Sequence, residues 1–359
     1  MNIYALCATT SARDLLRLLC QDIPLKGIIG LSQRKPNDIP PGYCHFAEEA
    51  AKIGVDYIEV ESYSLTNTTD INRLEALNID LLFVLGWQRL IPGWLINQCC
   101  LGSVGIHGSS NGITGGRGRS PQNWALHFGE RDFFISLFFI DPGVDSGPVI
   151  DTRRFPITPL DDIRSSYIKV VLLSAEMIKA AYRSNAFSEH RAEIQPNEAR
   201  YLPKRGPEDC GIDWHRGTRE IYNFIRALTK PYFGAFSRVE DATIIIWRAR
   251  PLEFEQPLEL RGLNEQTVPG MIIAQFGEDS LLICTGDGWL LVDEFEIRPP
   301  SFKQQIMPGM VLESVNYSEQ MVAIARRHIA ACPALPLIEK IQMFLGNMPQ
   351  VKHEDSRPK

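Results

Sequence analysis

Along the first half of the chain, short apolar runs alternate with segments whose apolar residues recur every three or four positions. Residues 3–8, 26–31, 56–60, 79–85, 103–107 and 133–140 read as strands, and 12–20, 44–53, 69–77, 121–128 and 161–183 read as helices. The run at 79–85 is continuously apolar after Asp80, the mark of a strand buried on both faces. Thr9-Thr10-Ser11 can cap the first helix, and two acids open the helix at 161. Strands that alternate with helices imply an α/β fold built on a doubly wound, mostly parallel sheet.

The pattern changes after residue 183. Residues 184–206 are polar and hold Pro196, Asn197, Pro203, Lys204 and Arg205, so the domain boundary is expected there. A helix at 218–228 and strand-like runs at 235–239, 243–247, 270–275, 280–285 and 289–297 point to a small, OB-like β-barrel. A helix at 317–331 closes the chain. The expected division is a catalytic domain at 1–190, a linker at 191–206, the OB-like domain at 207–300, a helical extension at 301–345 and a disordered tail at 346–359.

A length of 359 residues fits two domains. The net charge of −6 argues against a protein built to grip nucleic-acid phosphates. No apolar run approaches the ~20 residues that span a bilayer, and the N-terminus lacks a basic signal-peptide region. None of the eight cysteines forms a C-x-x-C, and no His stands at zinc-ligand spacing from a pair. The expectation is a cytoplasmic protein with reduced thiols and no structural metal.

In an open α/β sheet, ligands bind beyond the carboxyl ends of the strands. Gly86-Trp87-Gln88, His107 and the loop 141–147 bring polar residues there. A carboxylate beside an imidazole orients it and stabilises its cation, which suits proton transfer near neutral pH. The residues alone leave the plain alternative open: a His after an apolar strand is often a structural residue, and an Asp between glycines is often a turn former. No G-x-G-x-x-G follows the first strand, which argues against a dinucleotide site. The stretch 115–120 could hold an anion on its glycine amides but lacks a Walker ending.

Three blocks carry a resemblance. His107-Gly108-Ser109, then Arg117-Gly118-Arg119-Ser120-Pro121-Gln122-Asn123-Trp124, then Gly143-Val144-Asp145-Ser146-Gly147-Pro148 resemble the 10-formyl-tetrahydrofolate-dependent formyltransferases. Leu202-Pro203-Lys204-Arg205, Ile212-Asp213-Trp214, residues 221–236 and Thr285-Gly286-Asp287-Gly288 look like the C-terminal part of the methionyl-tRNA and nucleotide-sugar members. The likeness covers about residues 1–300.

The resemblance implies that His107 and Asp145 are catalytic. The family places an Asn two residues before the His, and Gly105 stands there in this chain. The loop His107-Gly108-Ser109-Ser110-Asn111-Gly112 is also rewritten, and Asn111 or a backbone amide is expected to polarise the formyl carbonyl instead. By the same resemblance the pterin of 10-formyl-tetrahydrofolate lies between Leu85, Gly86 and Trp87 and Ile140, Asp141, Pro142 and Gly143. Ser109 and Arg117 are expected at the acceptor.

The methionyl-tRNA members carry a basic insertion after the second strand. Residues 33–42 offer only Arg34 and Lys35. With the acidic charge this favours a nucleotide-linked amino deoxy sugar, whose product would enter a surface polysaccharide such as an O-antigen, over nucleic acid. The competing readings are a methionyl-tRNA formyltransferase, a formyl-tetrahydrofolate hydrolase and a degenerate binding module. Arg226 and Lys230 could face a phosphate or simply complement a helix end. Sugar-type members are often dimers, and the likeness extends that expectation to this chain; it implies no metal and no membrane partner.

Overall fold

A computed structural model describes residues 1–33, 42–253 and 267–346. The expected loop at 33–42 and the expected tail therefore fall almost wholly outside the described residues. Strands β1 (Ile3–Cys7), β2 (Leu25–Leu31), β3 (Asp56–Val60), β4 (Leu81–Leu85) and β5 (Ser103–Ser109) alternate with helices α1 (Thr10–Leu19), α2 (Ala47–Ile53), α3 (Thr68–Glu75) and α4 (Gly93–Gln98). These five strands pair in parallel. The chain continues through β6 (Arg117–Gly118), α5 (Pro121–His127), β7 (Asp132–Phe139), β8 (Val149–Pro156) and α6 (Ile163–Arg183). The seven-stranded sheet runs β3-β2-β1-β4-β5-β7-β8, so the winding reverses between β1 and β4.

The side-chain period explains why these strands read as unbroken apolar runs. Ile3, Ala5 and Cys7 of β1 join one core cluster with Leu16, Phe83 and Phe187. Tyr4, Leu6 and Ala8 join another on the opposite face, with Leu82, Val84 and Trp87. The helices begin where short polar side chains can take a free N–H. Thr9 Oγ1 accepts from Ala12 N at 3.4 Å, and Asp162 and Ser165 form a reciprocal capping box at the start of α6.

Two strands depart from the parallel expectation. β7 runs antiparallel to β5, and β8 antiparallel to β7. The connection between them is too short for the crossover that parallel neighbours need. β8 itself escapes the sequence reading because its Val-Ile-Asp-Thr-Arg-Arg-Phe-Pro carries charges on an edge strand.

The second domain holds β9 (Tyr201–Leu202), α7 (Thr218–Leu228), β10 (Ala235–Val239), β11 (Ala242–Leu252), β12 (Ile272–Phe276), β13 (Ser280–Cys284) and β14 (Trp289–Arg298). Its five-stranded antiparallel sheet is ordered β10-β11-β14-β13-β12. Ile221, Phe224, Ile225 and Leu228 of α7 pack with Trp214 into that sheet's own core. Helices α8 (Tyr317–Ala331) and α9 (Glu339–Gly346) follow. They do not stand apart: Met321, Ile324 and Ile341 pack on Trp124 of α5 and Leu202 of β9. No helix among the described residues is long and apolar enough to cross a membrane.

Candidate active site

The β4–β5 ladder ends at the pair Val84–Gly105. His107, two residues on, therefore lies where β5 runs past β4, beside the point at which the winding reverses. β7 descends along β5, and Phe139 pairs with Val104. The loop that follows doubles back along β5 and sets Asp145 against His107. This loop reaches the site by a hairpin rather than from the carboxyl end of a parallel strand.

The imidazole of His107 is held on both sides. Its Nε2 lies 2.8 Å from the Gly116 carbonyl, so that nitrogen donates. Its Nδ1 lies 3.3 Å from Asp145 Oδ2. With Nε2–H engaged, a neutral ring turns the Nδ1 lone pair toward the carboxylate, and a proton taken at Nδ1 is stabilised there. Asp145 Oδ2 also accepts from Gly118 N at 3.0 Å. Asp145 has φ +50°, a left-handed conformation uncommon for a residue with a side chain.

The segments expected to hold the pterin come together. Leu85 and Trp87 are buried, and Ile140 packs against the cluster that contains Trp87. Trp87 Nε1 is buried without a hydrogen-bond partner. Tyr63 packs edge-on against Trp87 at 4.7 Å, and its hydroxyl accepts from Gln88 N at 2.7 Å. Burial pushes that phenol up to about 12. Gly86 has φ +65°, and a Cβ there would lie 2.1 Å from Thr9 Oγ1. The Asp141 carboxylate is spent on its own turn: Oδ1 accepts from Gly143 N at 3.0 Å and from Ser146 Oγ at 2.6 Å. Pro142 and Gly143 are exposed on the same turn.

Position 105 is closed. A Cβ at Gly105 would stand 3.1 Å from Cδ1 and Cγ1 of Ile140 and 3.3 Å from Phe138 Cζ. Apolar groups thus occupy the space toward which a side chain would point.

Other expected residues have different partners. Ser109 is buried, and its hydroxyl donates to the Gly112 carbonyl at 2.6 Å, closing the loop rather than facing an acceptor. Asn111 is exposed and lines a cleft of about 270 Å³ with Trp124, Arg200 and Lys340. No described hydrogen bond joins it to His107 or Asp145. Arg117 is 5% exposed and donates to Gln195 Oε1 at 2.7 Å. Arg226 is also spoken for: its Nη1 donates to the carbonyls of Thr158 and Asp161, 2.7 Å each. Lys230 pairs with Glu294 at 3.1 Å. Neither is set to hold a phosphate.

The sequence reading missed two groups. Arg119 lies along Gln88, its Nη atoms 3.4 and 3.3 Å from the Gln88 carbonyl and side-chain oxygen. Burial holds its guanidinium below the usual range. It has no carboxylate ion-pair partner among the described contacts. Gln195 stands in the segment read as a plain linker, where no periodic signal marks it.

Two family models match the chain: formyl transferase over residues 25–181, and formyl transferase, C-terminal domain, over residues 204–307. The chain belongs to the formyl transferase family. Within it, the bifunctional polymyxin resistance protein ArnA of Wigglesworthia glossinidia brevipalpis is 31% identical over 195 residues, 54% of this chain and 29% of that protein. HypX from Aquifex aeolicus, solved in complex with tetrahydrofolic acid, superposes with a TM-score of 0.59 at 19% identity, over 94% of this chain and 58% of its own. An N-formyltransferase from Helicobacter canadensis, solved with folinic acid and dTDP-3-aminofucose, gives 0.55 at 16% identity, over 82% of this chain and 100% of its own. The chain spans under a third of the ArnA relative and just over half of HypX. At these identities the two solved structures establish a shared fold.

Proposed function

We propose that this chain transfers the formyl group of 10-formyl-tetrahydrofolate to the amine of a nucleotide-linked amino deoxy sugar. The observation that carries this reading is the His107–Asp145 pair, 3.3 Å apart beside the reversal of the sheet. Beside it, the buried and unpartnered Trp87 Nε1 and the meeting of Leu85–Trp87 with Ile140 suit a flat, polar-edged ring system. The folate, when bound, supplies an electrophilic formyl carbon and a nitrogen leaving group.

The chain's own residues handle the proton and the charge. The acceptor amine must be neutral to attack, and it sheds a proton as the new C–N bond forms. His107 Nδ1 takes that proton, and Asp145 balances the imidazolium. The proton returns to the departing nitrogen, so the pair ends as it began. The oxyanion of the tetrahedral species needs donors in place, and Gly105 offers no side chain for it. Backbone amides of the rewritten loop are the candidates for that role.

An anionic acceptor fits Arg119. Burial disfavours the Arg119 guanidinium, and a phosphate beside it would offset that cost. The Helicobacter canadensis enzyme, solved with dTDP-3-aminofucose, supports a sugar acceptor by likeness, and the net charge of −6 weighs against tRNA. The test is release of tetrahydrofolate, followed by absorbance, with nucleotide-linked 3- and 4-amino-deoxyhexoses, with methionyl-initiator tRNA and with no acceptor. Release that needs one sugar supports the reading. Release with tRNA alone, or without acceptor, replaces it by the tRNA enzyme or by a hydrolase.

A further inference from the structure

The polar segment after α6 grips both loops of the site from behind. Glu193 and Val149 exchange backbone hydrogen bonds, 2.8 Å each, at the foot of the Asp145 loop. β9 pairs with β6, which carries Gly118, the amide that meets Asp145. Between these two attachments stands Gln195, 8% exposed. Its Nε2 donates to the carbonyls of Asp145, at 3.0 Å, and Gly147, at 2.6 Å. Its Oε1 accepts from Arg117 Nη2 at 2.7 Å.

We infer that Gln195, oriented by Arg117, is a positioning residue that holds the left-handed Asp145 turn so that its carboxylate faces His107. The inference rests on the reading of that pair as catalytic. Three facts carry it. A non-glycine residue at φ +50° is strained and needs its surroundings to hold it. One amide satisfies two carbonyls of the turn while the Asp145 carboxylate meets His107 and the Gly118 amide. The amide has one orientation that works, because a flipped Gln195 would turn its NH2 toward the buried guanidinium and its oxygen toward two carbonyls. Arg117 thus serves the site through Gln195.

The test compares wild type with Gln195→Met, which keeps the volume and removes the amide, and Gln195→Glu, which keeps Arg117 satisfied and repels the two carbonyls. Three quantities are read: kcat, KM for folate and acceptor, and the ring 15N signals of labelled histidine. His107 is assigned by its loss in His107→Gln. The expected result is a fall in kcat on the order of 10- to 100-fold, as for a misplacement of about 1 Å. KM stays within a few-fold, and the His107 signals move while those of His127 stay. A fall in kcat with unmoved His107 signals, a rise in KM alone, or no change overturns the inference. If Gln195→Met fails to fold, Gln195→Glu carries the same readings. A silent wild type overturns the proposed function alone, and the ring signals then decide the inference by themselves.

Discussion

At position 105 the absence of a side chain is matched by its neighbours, since Ile140 and Phe138 already fill the space a Cβ would enter. Gly105→Asn should therefore overpack the site. A loss of about 1–3 kcal/mol in denaturant unfolding is expected, with no gain in turnover, and Ile140→Ala in the same chain should recover part of it. A faster and equally stable Gly105→Asn would show the space to be open. His107→Ala should keep the fold and lower kcat by roughly 10²- to 10⁴-fold, the usual worth of a positioned acid or base; retained turnover would remove the imidazole from the chemistry. Gly86→Ala should destabilise, since its φ of +65° and the 2.1 Å approach to Thr9 Oγ1 leave no room for a methyl group. A melting temperature equal to wild type would contradict that. At this scale the sequence exposes residue types and their order but not their partners. His107 and Asp145 stood out as a pair through the family resemblance, since the residues alone also fit a structural His and a turn-forming Asp. Ser109 and Arg117 were legible only as polar residues near them, and their hydrogen bonds to Gly112 and Gln195 depend on segments that no local pattern brings together.

Elements were legible where burial follows one clean period. α7 and α8 stand where their apolar spacing puts them, because each buries one stripe. β1 and β4 are apolar throughout because residues on both faces enter a core. β8 was hidden by its charged edge position, and with it the antiparallel turn of the sheet. That hairpin places Asp145, so the element least visible in the sequence positions half of the His107–Asp145 pair. α5 illustrates a second limit. Trp124 reads as core, and it is 1% exposed, but its core is assembled from α8, α9 and β9, with its Nε1 donating to the Pro203 carbonyl at 2.9 Å. Trp124→Ala should cost about 3–5 kcal/mol and loosen α8 and α9 first. Amide hydrogen exchange would show this as lost protection in Met321–Ala325 ahead of β1; uniform loss across the chain would contradict it.

Across the whole molecule, the two halves meet over a buried polar cluster. Arg205 Nη1 donates to His127 Nδ1 at 2.6 Å, and His127 Nε2 stands 2.8 Å from the Tyr317 hydroxyl. Burial, with Arg205 and Arg216 adding to it, holds the His127 imidazole well below its usual range. The folded protein thus refuses a proton that the unfolded chain takes up near pH 6.5. Stability should fall as the pH drops below about 6.5, by up to ~1.4 kcal/mol per unit from this residue, and His127→Gln should flatten that slope in unfolding curves. An unchanged slope would place the acid sensitivity elsewhere. Composition marks residues 184–206 as a polar connector, but it does not show what they touch. Residues 193–205 read as a connector, yet they touch the Asp145 loop, β6, α5 and the approach to α9. The His107–Asp145 pair is proposed to drive formyl transfer onto an amine. The most direct measurement follows a 13C-labelled formyl carbon by NMR from 10-formyl-tetrahydrofolate, with a nucleotide-linked amino sugar, in wild type and Asp145→Asn. The label should appear as a sugar formamide in wild type and stay on the folate in the variant. Label recovered as free formate, or equal transfer by both proteins, would contradict it.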